Sequence, residues 1–231
     1  MEEAIRDTQR KGYFIVFEGP DGSGKSTQAE LLYNDLSRDG YSCIVTEEPG
    51  GTPEGRKIRE ILLDPSFRLC PKAELFLFLA DRSEHVARVI EPALKKGRVV
   101  ICSRYYYSTL VYQGIARRIS DMDFLKQMNL FAVNFLEPDL VFYLDVVSEE
   151  SLTKAMDTSS RTFHFNGGDR IEREGITFQR MVREGYLELS SQYGDVFVVI
   201  EQNDIARVHK SVYDLTKGRI HNDRVGKNRP R

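Results

Sequence analysis

Cysteine is scarce: three residues, Cys43, Cys70 and Cys102, none spaced as C-x-x-C, and the four histidines form no cluster. A structural zinc site and a disulfide framework are therefore not expected. A sparse, odd count fits reduced thiols. Cys43 and Cys102 fall in apolar runs and read as small buried side chains. A surplus of one charge is also lacking, with 33 Lys and Arg against 35 Asp and Glu and a formal net charge of −2. That excludes general nucleic-acid binding through a polyelectrolyte field, but leaves room for a small-anion site built from a few local cations. No apolar run approaches the roughly 18–20 residues that cross a bilayer. Met1 to Lys11 is polar and mixed in charge, unlike a secretory signal. The expectation is a cytoplasmic protein without nucleic-acid or membrane partners, and no internal repeat is visible.

What is present is an alternation of short apolar runs with helical patterns. The runs are Tyr13–Glu18, Ser42–Glu47, Arg98–Cys102, Leu140–Asp145 and Val196–Ile200. Strands apolar throughout and separated by helices predict a parallel sheet covered on both faces, an α/β fold of three layers. The helical stretches are 25–38, one opened by Thr52-Pro53, 72–96 with a kink or break at Pro92, 107–116, 121–136, a short one capped by Ser148, 175–193 and 204–217. The predicted organisation is a polar tail over 1–12, one domain over 13–217 and a basic tail over 218–231. Residues 157–168 lack a period and read as a mobile loop. Ligands of such sheets bind beyond the carboxyl ends of the strands, here just after Glu18, Glu47, Cys102 and Asp145.

The first of those positions carries Gly19-Pro20-Asp21-Gly22-Ser23-Gly24-Lys25-Ser26, a full match to G-x-x-x-x-G-K-[ST] between a strand and a helix. Its glycines let backbone N–H groups wrap an anion, and the helix N-terminus adds its dipole. Lys25 can neutralise phosphate oxygens and the Ser26 hydroxyl can ligate Mg²⁺. Residues Gly19 through Thr27 are the candidate ATP site. The N-K-x-D motif of a GTPase is absent, and so is the apolar run ending in Asp-Glu of a helicase-type ATPase. Small-molecule kinases remain.

Taken with the P-loop, Glu48-Pro49-Gly50-Gly51-Thr52, Phe78-Leu79-Ala80-Asp81-Arg82, Arg104-Tyr105 with Ser108-Thr109 and Tyr112-Gln113-Gly114, Pro138-Asp139-Leu140 and Asp169-Arg170-Ile171-Glu172 resemble the thymidylate kinases. The resemblance spans about residues 13 to 205. It implies the P-loop NTPase fold with a five-stranded parallel sheet, and Mg²⁺-dependent transfer of a phosphoryl group from ATP to dTMP. It implies an acceptor site of Asp21, Glu48, Phe78, Arg82, Arg104, Ser108, Thr109, Tyr112 and Gln113. Within it Phe78 stacks on the base, or else is a core residue. Arg82 reads a base carbonyl, or else makes a surface salt bridge. Tyr112 crowds a 2′-hydroxyl, and Asp21 accepts the 3′-hydroxyl or shapes the turn. Arg104 clamps the acceptor phosphate. The 157–168 loop resembles the family's lid, and its arginine Arg161 is the candidate transition-state cation, because the alternative P-loop position is Gly22; Arg170 is a second candidate. The family's usual aspartate before the strand-three arginine is Ser103 here. The expectation is that Mg²⁺ is held by Ser26, the ATP phosphates and waters, with Ser103 in the outer shell. The resemblance also implies a homodimer packed through the 72–96 and 121–136 regions. A related kinase for another pyrimidine nucleotide such as dUMP, and a nucleotide-binding sensor or scaffold without turnover, are the alternatives.

Overall fold

The computed structural model describes residues 11–147, 171, 174–201 and 203–227, with backbone alone from 222 onward. Five strands form one parallel sheet: β1 (Tyr13–Glu18), β2 (Cys43–Glu47), β3 (Val99–Ser103), β4 (Leu140–Asp145) and β5 (Phe197–Glu201). Their order across the sheet is β2-β3-β1-β4-β5. The three inner strands are buried at every position, whereas the edge strands β2 and β5 are only partly covered. An inner strand of a parallel sheet is packed on both faces, which is why YFIVFE and LVFYLD are apolar except at their last residue.

Alternation along each strand divides the core in two. Phe14, Val16, Val100, Cys102, Val141 and Tyr143 face one layer. Tyr13, Ile15, Phe17, Ile101, Phe142 and Leu144 face the other, against Leu32 and Leu36 of α1 (Lys25–Arg38) and Val212 of α8 (Ile205–Lys227). The first layer contains α3 (Pro71–His85), α5 (Tyr106–Thr109), α6 (Met122–Ala132) and α7 (Gly175–Gln192). Asp139 pins the inner register: Phe14 N–H donates to its carboxylate at 2.7 Å, and its own N–H donates to Phe14 O at 2.8 Å.

Caps act where the sequence places them. Thr52 accepts from Gly55 N at 2.9 Å ahead of Pro53, opening α2 (Pro53–Leu63). The predicted single helix over 72–96 is instead α3, a π turn at Val86–Ile90, and α4 (Glu91–Lys95). Pro92 has no N–H to give, and Glu91 N–H reaches back five residues to Val86 O. The helix thus changes register where a kink was expected. A second π turn, Leu110–Ala116, follows α5 and carries Tyr112 and Gln113. The predicted helix over 121–136 stops at Ala132, because Asn134 and Phe135 adopt left-handed φ values of 55° and 58°. The final helix continues to Lys227, past the predicted boundary at 217. The helix expected after Ser148 and the segment 157–168 lie outside the described residues.

Gly51 packs where no side chain fits. A Cβ there falls 2.3 Å from the His85 ring and 2.9 Å from Glu47 O. His85 is itself fully buried and held between Glu48 and Thr46, so it has nowhere to move. Gly51→Ala should destabilise the fold by about 1–3 kcal/mol, read as a lowered urea midpoint.

Candidate active site

The loop after β1 folds as the motif requires. Gly19, Gly22 and Gly24 have φ values of 145°, 73° and 95°, which disfavour any residue with a Cβ. A Cβ on Gly19 would also lie 2.9 Å from Leu144 O on the neighbouring strand. Gly24 caps α1 without a side chain and the first turn of α1 has no acid, so no side chain of that turn competes with an anion for the helix dipole. Lys25 is buried, and its Nζ donates to Gly19 O at 3.0 Å and Pro20 O at 2.7 Å. Phosphate oxygens offer the same kind of acceptor with a full charge. Ser26 and Thr27 are exposed in the first turn of α1. A cavity of about 650 Å³ adjoins the loop, lined by Gly24, Thr27, Leu144, Ile200 and Ile205 among others.

On the other side of the loop lies a cleft of about 590 Å³ that is open to solvent. The structure brings to it all nine residues expected to form the acceptor site: Asp21, Glu48, Phe78, Arg82, Arg104, Ser108, Thr109, Tyr112 and Gln113. Phe78 and Arg82 are one helical turn apart on α3 and share the face that lines it. Pro49, Arg59, Leu63 and Ile171 line it too; Pro49 and Ile171 stand inside the family-like motifs without an assigned role, and Arg59 and Leu63 were not singled out from sequence. Arg59 adds a further cation; its helix-interior position gave no motif to single it out.

Arg104 joins cleft and loop. It follows β3 with a left-handed φ of 69°, a strained conformation for a non-glycine residue. Its N–H donates to Phe17 O at 2.8 Å, Nη2 to Asp21 Oδ1 at 2.7 Å and Nη1 to Ser108 Oγ at 3.3 Å. Its guanidinium lies 5.5 Å from the Tyr112 ring centre. Burial opposes ionisation of Asp21, but the charges of Arg104 and Lys25 outweigh it and hold the carboxyl at about 2. Beneath them Glu18, fully buried, accepts from Tyr105 N, Ser108 N, Ser108 Oγ and Tyr186 Oη at 2.9, 3.2, 2.6 and 2.8 Å. Burial raises its pKa despite Arg104. Glu18 therefore serves as a scaffold for the Tyr105–Ser108 turn and is already fully engaged by protein donors.

Arg82 makes no surface salt bridge. It is 2% exposed, and donates to Glu48 Oε2 at 2.7 Å, Thr109 Oγ1 at 2.8 Å, Asn129 Oδ1 at 2.7 Å and Tyr105 O at 3.3 Å. Four of a guanidinium's five N–H groups are thus used, and one remains on a side chain that lines the cleft. Glu48 lines the cleft, yet both its oxygens face protein, with Oε1 3.0 Å from His85 Nδ1. Its evident effect is to hold Arg82 in place. Arg161 and Arg170 lie outside the described residues.

No group of three or more His, Cys, Asp or Glu residues is poised to hold a metal among the described residues. Ser103, at the tip of β3, is buried and neutral. An exposed Ser26 hydroxyl with few protein carboxylates suits a cation that arrives on nucleotide phosphates, the usual manner of Mg²⁺.

A P-loop flanked by a cavity on one side and a cation-lined cleft on the other suits a nucleotide kinase of the α/β class. The chain belongs to the thymidylate kinase family: that family's profile matches residues 17–212. It is 42% identical over 208 residues to a thymidylate kinase of Halothermothrix orenii, covering 90% of this chain and 98% of the relative. It is 47% identical over 204 residues to one from Pelotomaculum thermopropionicum, covering 88% and 90%. The solved thymidylate kinase from Ehrlichia chaffeensis superposes with a TM-score of 0.72 at 32% identity, covering 89% of this chain and 98% of that one.

Asp81, 1% exposed beside the cleft, accepts from Gly50 N at 2.9 Å. Burial and the Glu48 charge raise its pKa from 3.8 to about 6. A carboxyl raised in the folded state stabilises the fold fully below its unfolded pKa, and that contribution is lost as pH rises through about 6. Asp81→Asn should therefore gain stability relative to the parent between pH 4 and pH 7.5, by on the order of 1–3 kcal/mol in urea titrations. A difference that does not vary with pH would contradict this reading.

Proposed function

We propose that the chain transfers the γ-phosphoryl group of ATP to dTMP, giving ADP and dTDP. The observation that carries the reading is the 2.7 Å contact of Arg104 with Asp21, which sets a phosphate-clamping guanidinium against the P-loop. The acceptor phosphate is itself the nucleophile and is already ionised at neutral pH. The residues have to align it and gather positive charge, and need no strong general base. Phe78 stacks on the pyrimidine, Arg82 and Gln113 meet its polar edge, and the Tyr112 ring limits space at the 2′ position. Arg104 holds the acceptor phosphate bidentately, a geometry that lysine cannot match. Lys25 leaves the carbonyls of Gly19 and Pro20 for the oxygens of the donor phosphates. Arg161, with Arg170 second, supplies charge to the moving group. Mg²⁺ would be held by Ser26, the phosphates and waters, with Ser103 further out, and would neutralise phosphate charge when bound. The cavity lined by Thr27, Leu144 and Ile200 supports an adenosine on the donor side.

A homodimer and a cytoplasmic location belong to the same proposal. Phe76 on α3 and Phe124 and Phe131 on α6 are 58%, 59% and 80% exposed, an apolar face suited to a second copy. No helix among the described residues is long and apolar enough to cross a membrane. No observation favours a scaffold without turnover. One methyl group separates dTMP from dUMP, worth about 1–3 kcal/mol in a pocket, so dUMP is expected as a slower substrate.

A coupled ADP-release assay over dTMP, dUMP, dCMP, ribothymidine monophosphate, dGMP and AMP should show a strong preference for dTMP. A flat panel would overturn the assignment. Lys25→Ala should lower turnover by about a hundredfold or more. Arg104→Ala should raise the KM for dTMP more than Arg161→Ala does.

A further inference from the structure

Beside the cleft, two side chains from the second π turn and its end converge on one carboxylate of α3. Glu74 lies on α3 one turn before Phe78 and two before Arg82, and is 1% exposed. Gln113, on the second π turn and 2% exposed, donates Nε2–H to Glu74 Oε1 at 2.7 Å. Arg117 sets Nε 3.0 Å from the same oxygen and Nη1 2.8 Å from Glu174, just before α7. Its guanidinium also covers the Phe178 ring at 5.2 Å.

A primary amide can be turned end for end without changing its shape, and the two orientations present opposite chemistry. An ionised carboxylate accepts and never donates, so it tolerates only the amide nitrogen beside it. The flipped amide would press oxygen against oxygen in a buried site and leave both unsatisfied. Arg117 sets its positive charge beside the same carboxylate. Gln113 lines the cleft, and with its nitrogen committed to Glu74 the amide oxygen is the end left to meet a ligand.

An amide oxygen there accepts from the ring N3–H of an oxo-pyrimidine. It meets a lone pair on N3 of an amino-pyrimidine. The remaining N–H of Arg82 likewise suits an exocyclic oxygen and opposes an exocyclic amino group. We propose that Glu74 is a specificity-determining positioning residue: by fixing the orientation of the Gln113 amide, it makes the cleft accept oxo-pyrimidine nucleotides and reject amino-pyrimidine ones. The inference rests on the acceptor assignment made above.

The test compares kcat/KM for dTMP and dCMP in the parent chain and in Glu74→Gln, with the KM for ATP as a control. A glutamine at 74 can face Gln113 with either end, so the lock is lost while size is kept. The dTMP to dCMP ratio should fall about tenfold or more, through the KM for dTMP, with the KM for ATP unchanged. A folded Glu74→Gln that keeps the parent ratio, or loses both substrates equally, overturns the role of Glu74. If Glu74→Gln does not fold, Gln113→Leu is measured in the same way, and an unchanged ratio again overturns it. A parent chain that turns over dTMP leaves the acceptor assignment intact in each of those cases; one that ignores dTMP overturns both.

Discussion

Everything in the site hangs on how Arg104 is tied to the strand beside it. Its backbone N–H bonds to Phe17 in β1, and its side chain returns to Asp21 in the loop that β1 feeds. Two independent attachments to one strand-and-loop unit fix the distance between the cleft and the P-loop. The left-handed backbone at Arg104 is what lets a residue leaving β3 turn back over β1. Such a conformation costs about 1–3 kcal/mol and persists because its surroundings over-determine it. Glu18 is a large part of those surroundings, since it gathers the turn that follows Arg104 and the hydroxyl of Tyr186 on α7.

The rest of the cleft repeats this plan of one buried charge steadying another. Glu48 steadies Arg82, which is further held by Thr109 and Asn129. A buried ion pair is not a strong source of stability, because desolvation offsets most of the attraction. Its effect here is to hold the Arg82 guanidinium in one orientation at the cleft, which is the preorganisation that the proposed reading of the base calls for. The apolar inner strands supply the rigid base that keeps such pairs aligned.

Much of this was legible in the sequence because its signals are local. The P-loop is eight consecutive residues, and five apolar runs between helices imply a parallel sheet. Family-like motifs also gave the nine residues that meet in the cleft. What stayed hidden depends on partners distant in the chain. Asp81 reveals its role through Gly50, 31 residues away. Glu74 reveals its role through Gln113, 39 residues away, and Glu18 through Tyr186, 168 residues away. None of these carries a composition signal. The π turns escaped because one added residue per turn barely shifts an apolar period. The early end of α6 escaped because Phe135, a bulky residue, takes a conformation that sequence patterns assign to glycine or asparagine.

The central claim is that two nucleotide sites face each other across Asp21 and Arg104, within reach of one phosphoryl group. A single compound with adenosine at one end and thymidine at the other, joined through their 5′ positions by a polyphosphate bridge, measures this directly. It should inhibit competitively against both ATP and dTMP and bind more tightly than either nucleotide alone. Competition with only one of them would place the second site elsewhere and contradict the account.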